Sequence, residues 1–295
     1  MKIEIKYPVK INYDRNADKP SRIFASLGKT IDTFHKVDIL LANCLGSNIK
    51  VKQQLDRVEI ASVTTWLLSL IEIPDDDTLK NKLLKEKDVK QFFSKGREEI
   101  LSKFNGEFDL ENAETYQKLQ KDMESIARES GILNEFSWNQ LPALKVAEIY
   151  EEISNATSLL EEGDILSIGD KRQQTEITKG NIIDLVKVQE SLVHKRISNN
   201  SVEKLIIKRA DFLGESKWEF KLNNRRIEAK IIDKDWMHAL HIRKIKLTTG
   251  DSLLVNLRSE TGLDVNNKVI LEKHEILQVL RLENSSEDLE NGLFE

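Results

Sequence analysis

Ser216-Lys217-Trp218-Glu219-Phe220-Lys221-Leu222-Asn223-Asn224-Arg225-Arg226-Ile227-Glu228-Ala229-Lys230-Ile231 alternates apolar and charged side chains on both sides of an Asn-Asn pair. Asparagine tolerates positive φ, so the pair predicts a tight hairpin turn between two strands. The period of two puts Trp218, Phe220, Ile227, Ala229 and Ile231 on one face and the charges on the other. Working outward, Lys204–Lys208 reads as a strand before this hairpin, and Asp233–His241 as a short helix bearing Trp236 and Leu240. Thr249-Gly250-Asp251 is a turn before the alternating Leu253, Val255 and Leu257. Asn266-Asn267 turns the chain again before Val269 and Leu271, and Ile276–Leu282 completes the set. Five or six strands with one helical insertion predict a small β-barrel of OB or SH3-like size. Closure would remove the sheet edges that invite aggregation.

The rest of the chain reads differently, and the fold class is α+β. Lys2–Tyr7 alternates as a half-buried strand, and Pro8 ends or turns it before a possible second strand over Lys10–Tyr13. A helix follows to about Leu45, with Ile23, Leu27, Ile31, Phe34 and Val37 three or four apart. Ile49, Val51, Val58 and Ile60 begin another strand, and Ser62 is expected to cap a short helix holding Trp66, Leu67, Leu70 and Ile71. This strand–helix–strand–helix order is compatible with a crossover between neighbouring strands. Pro74 and the three aspartates after it read as a helix start, because acids favour the positive end of the helix dipole. Helical spacing recurs over Thr78–Phe104, Asp109–Ser130 and Gln140–Leu160. Ile165–Ile168 and Thr175–Thr178 read as strands, and Asn181–Val193 fits either helix or strand. The expected organisation is an α+β unit over 1–73, a helical scaffold over 74–162, a β-rich domain over 163–283 and an acidic, disordered tail over 284–295.

Composition excludes several classes. The chain has 295 residues, 39% of them apolar, enough for packed cores despite a charged fraction of 32%. A single cysteine rules out an internal disulfide framework, and Cys44 sits in an apolar helical stretch where an inert buried thiol is expected. No apolar run is long enough to span a bilayer, which predicts a cytoplasmic protein without membrane contact. The net charge of −5 is uneven: residues 1–60 carry 11 basic against 7 acidic side chains, and residues 61–194 carry 16 against 26. A mildly basic end beside an acidic helical middle follows.

The runs Ser216–Phe220, Arg226–Ile231 and Gly250-Asp251-Ser252-Leu253-Leu254-Val255, with the strand–helix–strand start, resemble a loose group of bacterial proteins. These join an N-terminal α+β unit to a C-terminal small barrel and have no assigned activity. The resemblance implies that architecture and a loose association with phage-defence genes.

Three constellations carry candidate chemistry. Glu228-Ala229-Lys230 with Asp211 upstream has the acidic residue and Glu-x-Lys of a restriction-type nuclease, in which carboxylates hold a divalent cation and the lysine positions water. The same triplet alternates with apolar residues as an ordinary barrel strand does. His238 and His241, with Asp235 near, have a spacing that could share a metal, but His274 is far along the chain, and a solvated or packing pair is the expectation. Lys208, Arg209, Arg225, Arg226, Arg243, Lys244 and Lys246 would supply a basic surface for nucleic acid, with Trp218, Phe220 and Trp236 as possible stacking aromatics. Alternation instead puts Trp218 and Phe220 opposite the charges, in the core. No phosphate loop, dinucleotide fingerprint or Gly-x-Ser-x-Gly elbow is present. The reading is therefore a non-enzymatic binding or assembly component of a bacterial multi-protein system. It has no expected cofactor or metal. A protein partner or self-association comes first, and nucleic acid second.

Overall fold

The computed structural model describes residues 1–14, 19–46, 48–59, 63–74, 85–105, 108–134, 138–170, 173–178, 182–212 and 216–283. The Ser62 cap, the aspartates after Pro74 and the acidic tail lie outside the described residues.

β1 (Lys2–Asn12) is one unbroken strand rather than two. Ile3, Ile5, Tyr7, Val9 and Ile11 are buried in strict alternation, while Lys2, Glu4 and Lys6 stay exposed. Pro8 is tolerated inside it because the ladder to β4 (Ile165–Asp170) begins only at Val9. That leaves Pro8, which has no N–H to offer, beside an unpaired flank. α1 (Ser21–Leu45) follows as the spacing predicts, burying Ile23, Leu27, Phe34, Val37 and Leu41. β2 (Lys50–Glu59) comes next.

Residues 63–72 overturn the expected short helix. They form β3 (Val63–Glu72), a strand burying Val63, Thr65, Leu67, Ser69 and Ile71 on one face. The apolar run there satisfies both the helical and the strand template. Pairing decided the outcome, for β3 lies between β2 and β1 and runs antiparallel to both. β1 and β2 are therefore not neighbours, and the crossover skips a strand.

α2 (Glu86–Asn105), α3 (Ala113–Glu129) and α4 (Ala143–Thr157) supply the helical stretch. Asn112 caps α3 by accepting from the Glu114 N–H at 2.9 Å. β4 and β5 (Gln173–Ile177) then return to the first sheet, whose order is β2-β3-β1-β4-β5. α5 (Leu185–Leu192) resolves the ambiguous segment as helix. The helices share one apolar core with the sheet. The chain accordingly divides after Leu192, past the 162/163 boundary read from the sequence, since β4 adds to β1 and cannot belong to the barrel.

The second unit begins at Val193. β6 (Lys195–Arg209) starts well before the expected Lys204. β7 (Trp218–Leu222) and β8 (Arg225–Ile231) are the expected hairpin, and Asn223 and Asn224 adopt φ of 47° and 66° at its turn. α6 (Lys234–His241) lies between β8 and β9 (Ser252–Leu263), and β10 (Val269–Glu283) ends the unit. The five strands close in the order β10-β8-β7-β6-β9. All pairings are antiparallel except β8 with β10. A three-strand meander, a helix, and a last strand parallel to the third form the connectivity of an OB-type barrel. Trp218, Phe220, Leu205, Ile207, Leu253 and Val255 fill its centre.

Candidate functional site

The outer face of β6, β7 and β8 is built by the alternation that fills the barrel. With Trp218 and Phe220 turned inward, Glu219 and Lys221 face outward, opposite Glu228 and Arg226 respectively. Two like charges facing each other across strands repel. Glu219 is relieved by two arginines: Arg209 Nε lies 3.1 Å from its Oε1 and Arg226 Nε 2.5 Å from its Oε2. The glutamate side chain is 10% exposed and both arginines are mostly exposed, so this clamp joins three strands at the surface. Arg209 reaches its place through a register shift in the β6–β7 ladder after Ile207.

The nuclease set is not assembled into a metal centre. Glu228 and Lys230 share the outer face of β8, as their spacing requires. Asp211 lies after β6 and accepts a hydrogen bond from Ser216 Oγ. Among the described residues, no group of three or more His, Cys, Asp or Glu side chains is placed to hold a metal ion. His238 and His241 are exposed on the last turn of α6. His274 sits on β10, its Nδ1 2.9 Å from Ser259 Oγ, and burial draws its pKa below the ordinary histidine value.

The basic residues fall into two sets. Lys208, Arg209, Arg225 and Arg226 flank β7 on the two strands beside it. Arg243, Lys244 and Lys246 lie on the stretch between α6 and β9, where Lys244 and Lys246 border a groove of about 520 Å3 with Trp236 and Val279. A second groove of about 800 Å3, edged by Asn200, Val202, Asp235 and Gln278, has Trp236 and Val279 on its wall as well. The aromatic residues do not form an open stacking platform. Trp218 and Phe220 are 1% and 0% exposed and stack on each other at 6.1 Å. Trp236 meets Trp218 edge-on at 6.0 Å. Phe212, which the sequence reading missed, is 49% exposed and packs at 5.7 Å against Trp218. Its position just past the last charged residues of a strand was the available signal.

Sequence reading also missed a buried polar network in the first unit. Asp38 on α1 accepts from Arg97 Nε at 2.6 Å and Nη2 at 2.9 Å, and from Ser69 Oγ at 2.5 Å. The guanidinium lies over the Tyr7 ring at 4.0 Å, and Tyr7 Oη accepts from Gln53 Nε2 at 3.0 Å. Burial raises the Tyr7 phenol pKa, and the Asp38 charge adds to that. Burial alone would lower Arg97, but Asp38 and Tyr7 reverse the sign and hold it above its usual value. An aspartate at the i+4 position after the buried Phe34 was the clue in the sequence. The cavity beside Arg97 and Tyr7 is about 60 Å3, too small for more than a few waters. Burial pushes the Cys44 thiol up to about 12, as suits an inert thiol.

Comparison of the chain with protein-family models, with curated proteins and with solved structures finds no match. No helix among the described residues is long and apolar enough to cross a membrane.

Proposed function

We propose that this chain is a non-enzymatic, cytoplasmic binding and assembly component whose barrel docks a protein partner on the outer face of β6–β8. The observation that carries the reading is the Arg209–Glu219–Arg226 clamp. Ionisable groups there neutralise one another across rigid strands, as on a contact surface, instead of converging on a cavity as catalytic groups do. Residues 193–283 hold 18 basic against 13 acidic side chains, so an acidic partner surface is favoured. The chain purified under mild conditions from its own cells should retain a stoichiometric protein by native mass spectrometry. Arg209→Glu with Arg226→Glu should release it. Retention unaffected by that pair of substitutions would refute docking on this face. The phage-defence context is part of the same proposal: deleting the gene should change phage plating, and unchanged plating counts against it.

Nucleic acid is the second reading, favoured by the OB-type connectivity and the excess of positive charge. The inward aromatics weigh against it, since sequence-tolerant binders stack bases on exposed rings. Anisotropy with labelled single- and double-stranded oligonucleotides separates the two. Binding that collapses with added salt, and on Arg225→Glu with Arg226→Glu, would replace the protein reading. Metal-dependent cleavage lost on Glu228→Gln would instead revive the nuclease alternative of Asp211, Glu228 and Lys230.

A further inference from the structure

One strand of the barrel extends past its neighbour. β9 pairs with β6 from Lys195 to Ile206, whereas β7 pairs only from Ile206 to Arg209. Among the described residues, no strand pairs with the other side of β6 ahead of Ile206. Residues 195–200 are all exposed, so solvent reaches both faces of this segment. Ile197 and Val202 are 48% and 59% exposed.

The backbone direction follows from one bond. Ile207 N–H donates to the Asp251 carbonyl of the β9 side at 2.8 Å. The β6–β9 ladder has no register shift. Alternation therefore points the odd-numbered N–H and C=O groups at β9, and those of Ser198, Asn200 and Val202 away from it. Native sheets usually protect such an edge by a bulge, a proline or an inward charge. β2, the outer strand of the first sheet, has a bulge between Leu55 and Arg57. β6 has neither bulge toward β9 nor proline over this length.

We infer that this edge pairs antiparallel with the same edge of a second copy of the chain, about a twofold axis at Asn199. The reading goes beyond the docking face proposed above and does not depend on it. Outward-pointing residues must meet outward-pointing residues, so the two numbers in each pair sum to an even total. Among such registers, the one centred on Asn199 sets Ser198 against Asn200 and places Lys195 opposite Glu203 of the second copy at both ends. Centring on Asn200 would oppose Arg196 to Lys204, and centring on Ser198 would leave Lys195 opposite Ser201. Cross-strand charge pairs select register, and only the Asn199 centre gains two attractive ones.

The test is light scattering on the eluted full chain over a wide concentration range, with four variants. The natural chain should be a dimer. Asn200→Pro removes an outward N–H, which an edge strand tolerates, and should give a folded monomer by circular dichroism. Glu203→Lys should weaken the dimer about tenfold by setting lysines opposite each other, and Lys195→Glu added to it should restore the dimer. Asn199→Cys should form an intermolecular disulfide under mild oxidation, because residues on the axis face each other at close range. Cys44 is buried and serves as the internal control. A monomer at every concentration would overturn the inference, as would a dimer that survives Asn200→Pro and whose Asn199→Cys form does not cross-link. Should Asn200→Pro fail to fold, the charge swap and the cross-link decide. Failure of the rescue, together with no cross-link, overturns the inference.

Discussion

The two units solve their interiors in opposite ways. The first buries a charged pair, Asp38 with Arg97, among Tyr7, Phe93 and apolar side chains of α1, α2, β1 and β3. The barrel fills its centre with a stacked Trp218–Phe220 pair and keeps its arginines on the outside. A buried ion pair gains little net stability, because desolvation offsets attraction, but each partner becomes costly to remove alone. A stacked aromatic centre tolerates shape changes poorly and needs no partner of opposite charge. The difference teaches where each unit is fragile: the first at a single polar connection, the barrel at its close packing.

The largest expected effect breaks the first half of that comparison. Arg97→Ala leaves Asp38 charged and buried, and should destabilise the first unit by about 3–5 kcal/mol. Hydrogen exchange resolved by segment should show the loss in α1, α2, β1 and β3, with barrel amides unchanged. Replacing both partners, Asp38→Leu with Arg97→Met, should recover most of it. A double variant as unstable as the single would mean that the pair is more than an electrostatic couple. The intermediate effect concerns packing. A Cβ at Gly262 would lie 2.6 Å from Val193 Cγ2 and 3.0 Å from Leu271 Cβ, neither of which can swing aside. Gly262→Ala should cost about 1–3 kcal/mol of barrel stability by chemical denaturation. At Gly96 in α2 the nearest atoms are the tips of Leu41 and Met123, which can rotate. The helix propensity gained by Gly96→Ala, about 1 kcal/mol, should cancel most of its crowding cost.

The smallest effect sharpens the electrostatic side. Burial, aided by Lys217 and opposed by Glu272, holds the His274 pKa below its ordinary value in the folded barrel. The unfolded chain therefore takes up the proton first as pH falls. Barrel stability should be complete above the ordinary histidine value of about 6.5 and decline as pH drops through it. His274→Gln, which can still bond Ser259, should flatten melting temperature against pH over that range. An unchanged slope would place the titration elsewhere.

The legibility of the chain follows the same division. The Trp218–Ile231 hairpin was readable because alternation and an Asn-Asn turn are local signals, and the structure keeps both. The short helix over Asp233–His241 was readable as well, and the structure adds its cap, in which Asp233 accepts from the Trp236 N–H at 3.1 Å. The same carboxylate also receives the Val279 N–H at 3.0 Å, a contact across the barrel that no local pattern announces. At the candidate site, the outward direction of Glu228, Lys230 and Arg226 followed from period two, whereas Arg209 faces outward only because the β6–β7 ladder shifts register after Ile207. The two-arginine hold on Glu219 did not follow from period two, because it joins three strands through one register shift.

By itself, the sequence determined the local periods: a long helix over residues 21–45, helical spacing in the middle, short alternating strands at the end, and aromatics opposite charges in the barrel. Only the tertiary structure decided the identity of residues 63–72, the partner of β4, the early start of β6 and the meeting of Asp38 with Arg97. The physical reason is range. Side-chain period and turn chemistry are set by neighbours in the chain, whereas strand pairing and buried charge depend on groups far apart in sequence that only the folded core brings together.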